Sequence, residues 1–225
     1  MRRILPVLFA YIAIAWPAFA QDKPNIVYIL VDNWGWGDIR IQGGSIPTPR
    51  IDALAQEGLR MTNFNVESQC VPTRSAIMTG RLPIRSGTHR VTYGLPYGMA
   101  PWEYTLPELL SNAGYNTALF GKWHLGDVEG RLPTDQGFDQ WFGVKNTTDE
   151  AGYSSTPQFD DSVVPQPYIW EGEKGKPSRK VKPFDLVSRK TIDRDIVERS
   201  EAFIAKQAQS KKSFFAIIVS PLFYS

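Results

Sequence analysis

Three short stretches bring together residue types that could do chemistry. Cys70-Val71-Pro72-Thr73-Arg74 sets a sulfur nucleophile in the turn just ahead of a helical pattern, Thr73 to Thr79, that Gly80 ends. The free backbone N–H groups and positive dipole end of such a helix favour an anion beside it. Arg74, one turn on, can pin an oxyanion with its planar fork of donors. Lys122 and His124 stand two apart, so on an extended segment their side chains face the same way. A fixed cation beside a proton-transfer group suits a tetrahedral oxyanion. Asp32-Asn33, with Asp38 nearby, offers hard oxygen atoms suited to Ca²⁺ or Mg²⁺. Softer metals want clusters of His or Cys, and His89, His124 and Cys70 are too few.

Each stretch has a plainer alternative: a solvated turn carboxylate, a surface lysine, a histidine satisfied in the core. Cys70 is the single cysteine, so no intramolecular disulfide is possible. It is either a small buried hydrophobe or a group kept for its chemistry.

The elements around these residues follow an α/β rhythm. Asn25 to Val31 is a continuous apolar run that reads as a parallel strand buried on both faces, and it delivers Asp32 and Asn33 at its carboxyl end, where open α/β sheets place ligands. Thr48-Pro49 opens a helix with Ile51, Leu54 and Ala55 on one face and Gly58 as its stop. Leu59 to Val66 alternates loosely and predicts a second strand. Thr105 caps a helix over Leu106 to Ala113, Gly114 stops it, and Tyr115 to Phe120 is a strand feeding Lys122 and His124. Lys145 to Val187, rich in Pro, Gly, Ser and Asp, reads as a long surface excursion, either decoration or a lid over the site. The stripe Ile192, Ile196, Val197, Phe203, Ile204, Ala208 predicts an amphipathic helix packed beside a strand over Phe214 to Val219.

Composition bounds the partners. The 225 residues are 42% hydrophobic, enough for a core, with 25 basic and 23 acidic residues for a formal charge of +2. Both surplus charges can be assigned to Arg2 and Arg3, so the rest of the chain is balanced and lacks the basic excess of a nucleic-acid binder. Met1 to Ala20 reads as a cleavable signal peptide, with a basic start, an apolar middle and Ala18-Phe19-Ala20 at the cleavage position, leaving residues 21–225 as an exported, periplasmic or secreted catalytic-domain segment. No later stretch approaches the roughly 20 apolar residues of a membrane span, so the mature protein is not expected to be an integral membrane protein.

Taken together, Cys70-Val71-Pro72-Thr73-Arg74 with Ser75 to Arg81, the strand leading into Asp32-Asn33-x-Gly-x-Gly-Asp38, the helix start Pro47 to Asp52, and Gly121-Lys122-Trp123-His124-Leu125-Gly126 resemble the type I sulfatases of the alkaline phosphatase superfamily. The resemblance runs in order over Asn25 to Gly126 and loosens after about Phe142. It implies a doubly wound α/β/α sandwich with a mostly parallel central sheet, C-terminally incomplete. It also implies hydrolysis of sulfate esters by a formylglycine, made from Cys70 by a sulfatase-maturation enzyme, whose hydrate attacks sulfur. By the same carry-over Asp32, Asn33 and the modified Cys70 are ligands of a cation, Ca²⁺ ahead of Mg²⁺. Arg74 holds the hydrate, Lys122 binds a sulfate oxygen, and His124 orients the hydrate or assists elimination. Asn33 replaces an Asp found in many members, which removes one negative charge from the metal pair. Thr73 stands where Ser is commoner and keeps the hydroxyl. Members of the family are much longer than this chain, so an N-terminal portion with half the calcium cage and an exposed apolar sheet edge is the expectation. Phosphonate or phosphodiester hydrolysis, or an inactive remnant, are the alternatives.

Overall fold

Thr105 shows how local sequence builds this fold. Its hydroxyl accepts the Glu108 backbone N–H while the Glu108 carboxylate accepts the Thr105 N–H, a reciprocal box that starts a helix at Leu106. The computed structural model describes residues 23–91 and 98–220; the signal-like segment Met1 to Ala20 lies outside the described residues. In chain order the elements are β1 (Ile26–Val31), α1 (Pro49–Glu57), α2 (Cys70–Thr79), α3 (Pro83–Ser86), α4 (Leu106–Asn112), β2 (Asn116–Lys122) and β3 (Gln140–Val144). They continue with α5 (Glu150–Tyr153), β4 (Tyr168–Glu173), β5 (Arg179–Pro183), α6 (Leu186–Arg189), α7 (Ile192–Ser210) and β6 (Phe214–Ser220).

The strands form one sheet in the order β1-β6-β2-β3-β4-β5. The pairings β1–β6, β6–β2 and β2–β3 are parallel, and β4 and β5 add antiparallel. One face packs on α2 and α4 through Val71, Met78, Leu119, Trp123, Trp141 and Ile217. The other packs on α7 through Phe120, Phe142, Ile196, Phe203 and Phe214. This is the predicted α/β/α sandwich, with a mixed sheet. In α7 the buried stripe Ile192, Ile196, Ser200, Phe203, Gln207 keeps helical spacing, while Val197 faces solvent.

Four expectations need correction. β1 is an edge strand: Ile26, Tyr28 and Leu30 pack on the core, but Val27 and Ile29 on the opposite face are 44% and 62% exposed. The anticipated apolar edge is therefore present, and burial on both faces is not. Leu59 to Val66 forms no strand; Leu59, Met61, Phe64 and Val66 are exposed, and alternation without a partner ladder does not make a strand. Residues 145–187 are not a loop excursion, because β4 and β5 within them extend the sheet from β3. Finally, α2 begins at Cys70 itself rather than at Thr73, with Gln69 as its N-cap residue. Pro72 fits there because the first turn of a helix needs no N–H from it.

Candidate active site

The carboxyl ends of β1 and β2 and the first turns of α2 meet around one carboxylate. Asp32 directly follows β1, Lys122 is the last residue of β2, and Arg74 lies in α2. Asp32 Oδ2 accepts from Lys122 Nζ at 2.8 Å and from Arg74 Nη2 at 3.2 Å. Arg74 Nη1 also donates to the Lys122 carbonyl at 2.5 Å, so one side chain ties the helix to both strands. Arg74 and Lys122 are 3% exposed and Asp32 is 9% exposed. Two buried cations thus share a single buried anion, and the trio keeps one net positive charge.

Gly121 lets this happen. A Cβ there would meet the Val219 carbonyl oxygen at 1.8 Å, and its φ of +116° is open to glycine. With no side chain at 121, β2 runs close beside β6 and sets Lys122 beside Asp32. His124 departs from expectation: its φ is +57°, so the segment is not extended and simple alternation does not place it. Instead the chain turns left-handed and stays laced to the strand beyond, with Trp123 N–H donating to the Val144 carbonyl at 3.0 Å and His124 N–H to that of Lys145 at 2.9 Å. Trp123 and Leu125 are buried in the core on either side of His124.

The electrostatics follow from burial. Burial alone would raise the Asp32 carboxyl, but Arg74 and then Lys122 outweigh it and hold the group below the ordinary carboxylate range. Burial lowers the Arg74 guanidinium, while Asp32 and Cys70 pull it back up. His124, 7% exposed, is pushed down to about 3 by burial first and then by the neighbouring charges of Lys122 and Arg74. It is a neutral imidazole at physiological pH. His124 Nδ1 and Arg74 Nε are buried with no hydrogen-bond partner among the described residues, which leaves donor and acceptor capacity unused in the site.

Cys70 is half-buried and lines a cavity of about 250 Å³ together with Asp32, Asn33, Trp34, Gln69 and Arg74. Lys122 and His124 are not on that wall; they stand behind it, Lys122 in contact with Asp32 and His124 felt by the same charges. Asp38 is not brought in: its carboxylate closes a turn on the Gly35 N–H at 2.6 Å. Gln69 is a positioning residue that the sequence does not advertise. Its Oε1 accepts the Val91 N–H at 3.1 Å, and its carbonyl takes the Thr73 hydroxyl at 2.8 Å, which fixes the chain entering α2 at Cys70.

As a cation site these residues are incomplete. Asp32 already serves two cations, Asn33 (φ +67°) contributes an amide, and no group of three His, Cys, Asp or Glu that could hold a metal occurs among the described residues. Ca²⁺ takes about six to eight oxygen ligands, so Asp32 and Asn33 do not by themselves make its site.

Residues 24–221 match the family model described as Sulfatase. The chain belongs to the sulfatase family. Among curated relatives, rat N-acetylgalactosamine-6-sulfatase is 41% identical over 154 residues, covering 64% of this chain and 29% of that protein. The solved PsFucS1 sulfatase from Pseudoalteromonas sp. is 33% identical, with a TM-score of 0.79 over 90% of this chain and 44% of that one. BT4656, solved in complex with its substrate D-glucosamine-2-N,6-O-disulfate, is 25% identical with a TM-score of 0.63, covering 89% of this chain and 35% of that one. The chain spans less than a third of the length of the curated relative it matches.

Proposed function

We propose that this sulfatase-family chain carries the nucleophile and anion-binding part of a sulfate-ester hydrolase, with residue 70 acting after a maturation enzyme has oxidised it to formylglycine. The observation that carries this reading is the convergence of Arg74, Lys122 and Asp32 behind Cys70, a buried trio with net positive charge. A sulfate monoester brings one negative charge, and a prearranged positive site in a water-poor setting stabilises it and the charge that develops on its oxygens. Once formed, formylglycine supplies as its hydrate a pair of hydroxyls, one to attack sulfur and one whose deprotonation releases sulfate.

The chain's own residues define how that chemistry is aimed. Arg74 is held by Asp32 and the Lys122 carbonyl, so its open Nε is available to an oxygen on residue 70. Lys122 has one of its three N–H donors on Asp32, leaving others for a sulfate oxygen. His124, kept neutral, is a proton acceptor for a hydroxyl of residue 70. A divalent cation, Ca²⁺ ahead of Mg²⁺, belongs to this reading only with oxygen ligands beyond Asp32 and Asn33. Export is likewise part of the proposal; it rests on the Met1 to Ala20 pattern, and among the described residues no helix is long and apolar enough to cross a membrane.

The test is turnover of an aryl sulfate against the matching aryl phosphate by the chain co-expressed with a sulfatase-maturation enzyme. A higher kcat/KM for the sulfate, abolished by Cys70→Ala, is expected. A preference for phosphate, or activity indifferent to Cys70→Ala, overturns the reading.

A further inference from the structure

Beside His124 lies a cation that the site above does not use. Lys145 directly follows β3, and its carbonyl accepts the His124 N–H at 2.9 Å. Since β2 and β3 are adjacent, spaced about 4.8 Å apart, Lys145 sits on the same sheet end as Lys122 and one strand over. Its Nζ donates to the Asp127 carbonyl at 2.9 Å and lies 3.8 Å from the centre of the Trp170 ring. Those contacts fix the ammonium in place. Among the described residues it has no salt bridge, and Lys180, 5.9 Å from the same ring, adds a second positive charge. Burial, reinforced by Lys180, pushes the Lys145 ammonium below the ordinary lysine value, with Asp127 pulling the other way. Lys145 is thus a half-buried, immobilised cation held by a carbonyl and a ring face, with the Asp127 charge felt but in no direct ion pair with it among the described residues.

Lys145 and Trp170 open onto a cavity of about 520 Å³ whose lining also carries Thr134, Ser178, the carboxylates Glu129 and Asp135, and a second lysine, Lys176. Hydroxyl and carboxylate groups together with a held cation around one cavity are complementary to a polyhydroxyl ring with an anionic substituent. The volume fits such a ring. An aryl sulfate carries one charge and brings no second anion to Lys145.

We propose that Lys145 reads a second anionic group on the substrate, so that the preferred ester is a saccharide bearing at least two sulfate or carboxylate groups. This rests on the sulfate-ester reading and narrows it. Trp170 and the Asp127 carbonyl act as positioning groups that hold the ammonium where the second anion arrives.

The experiment compares D-glucosamine-2-N,6-O-disulfate with D-glucosamine-6-sulfate and an aryl sulfate, using the matured chain and its Lys145→Met and Lys145→Arg variants. Met keeps the stem over Trp170 and removes the charge; Arg keeps the charge. The ratio of kcat/KM for the disulfate to that for the aryl sulfate should fall about tenfold or more in Lys145→Met and be restored in Lys145→Arg. A ratio unchanged in Lys145→Met overturns the proposal, as does a loss in Lys145→Arg as large as in Lys145→Met. Calorimetric binding of the same two amino-sugar sulfates is measured alongside. If no sulfate ester is turned over, the hydrolase reading fails, and binding then decides the second-anion site separately. Tighter binding of the disulfate that Lys145→Met abolishes supports it; equal binding, or none, refutes it.

Discussion

Asp32→Asn keeps the shape of the central carboxylate and removes its charge, leaving Arg74 and Lys122 buried together without an anion. Both cations have side chains only 4% exposed, and each lies within 3.2 Å of the lost charge, so solvent can do little to screen them. Breaking a buried pair in this way costs about 3–5 kcal/mol, most of it the burden of uncompensated charge. Lys122→Met alone should cost less, about 1–3 kcal/mol, because Asp32 keeps Arg74 and no cation is stranded. In the double variant a single buried cation remains, so the cost should fall short of the two single costs together by about 2 kcal/mol. Urea unfolding followed by tryptophan fluorescence reads this directly, with Trp123 buried close to the site. Additivity within about 0.5 kcal/mol, or a cost for Asp32→Asn under about 1 kcal/mol, would show that the trio is not a coupled charge cluster.

Three further outcomes follow from the same geometry. His124 has its folded value lowered to about 3, so between there and its ordinary value near 6.5 the unfolded chain binds a proton that the folded chain refuses. Stability should therefore decline as pH falls from about 6.5 towards 3, by up to ~1.4 kcal/mol per unit, and His124→Gln should flatten that slope; an unchanged slope refutes the assignment. Glu150 behaves oppositely: burial first, then Asp127, raise it to about 7 against the Asn146 hydrogen bond, so the stability of its protonated form is present below about 4.5 and is lost as pH rises through 7. Glu150→Gln should thus gain about 1–2 kcal/mol relative to the parent between pH 5 and pH 8, measured from paired denaturation curves, and no pH-dependent gain contradicts the burial. Gly121→Ala, whose Cβ would collide with the Val219 carbonyl oxygen, should destabilise by about 3 kcal/mol or more and lower turnover together with stability, whereas a silent substitution would refute the close approach of β2 to β6.

Local signals made the site elements legible. The apolar run before Asp32, the Thr105 cap, Gly80 after α2 and the periodic stripe of α7 each act within a few residues, and each element lies where those residues place it. What sequence could not show was non-local. β1 carries an apolar run suited to a buried strand, yet its burial depends on what lies across each face, and that is settled by packing. The β4–β5 hairpin is built from Pro- and Gly-rich sequence that reads as loop, because its stability comes from pairing with β3. Asp32, Arg74, Lys122 and His124 were legible as residue types. Their shared charge network, 42 and 90 residues apart in sequence, was not. Nor was the contact between Lys145 and His124, since nothing in the neighbourhood of Lys145 in sequence shows that its carbonyl accepts the His124 N–H.

On the proposed reading, residue 70 is oxidised to formylglycine, and the hydrate of that aldehyde is the nucleophile of a sulfate-ester hydrolase. The most direct measurement takes preparations matured to different extents and determines the fraction of residue 70 converted by peptide mass and the aryl sulfate turnover of the same samples. Turnover should rise in proportion to conversion and extrapolate to none for the thiol form. Turnover independent of conversion, or none in fully converted protein, would contradict it.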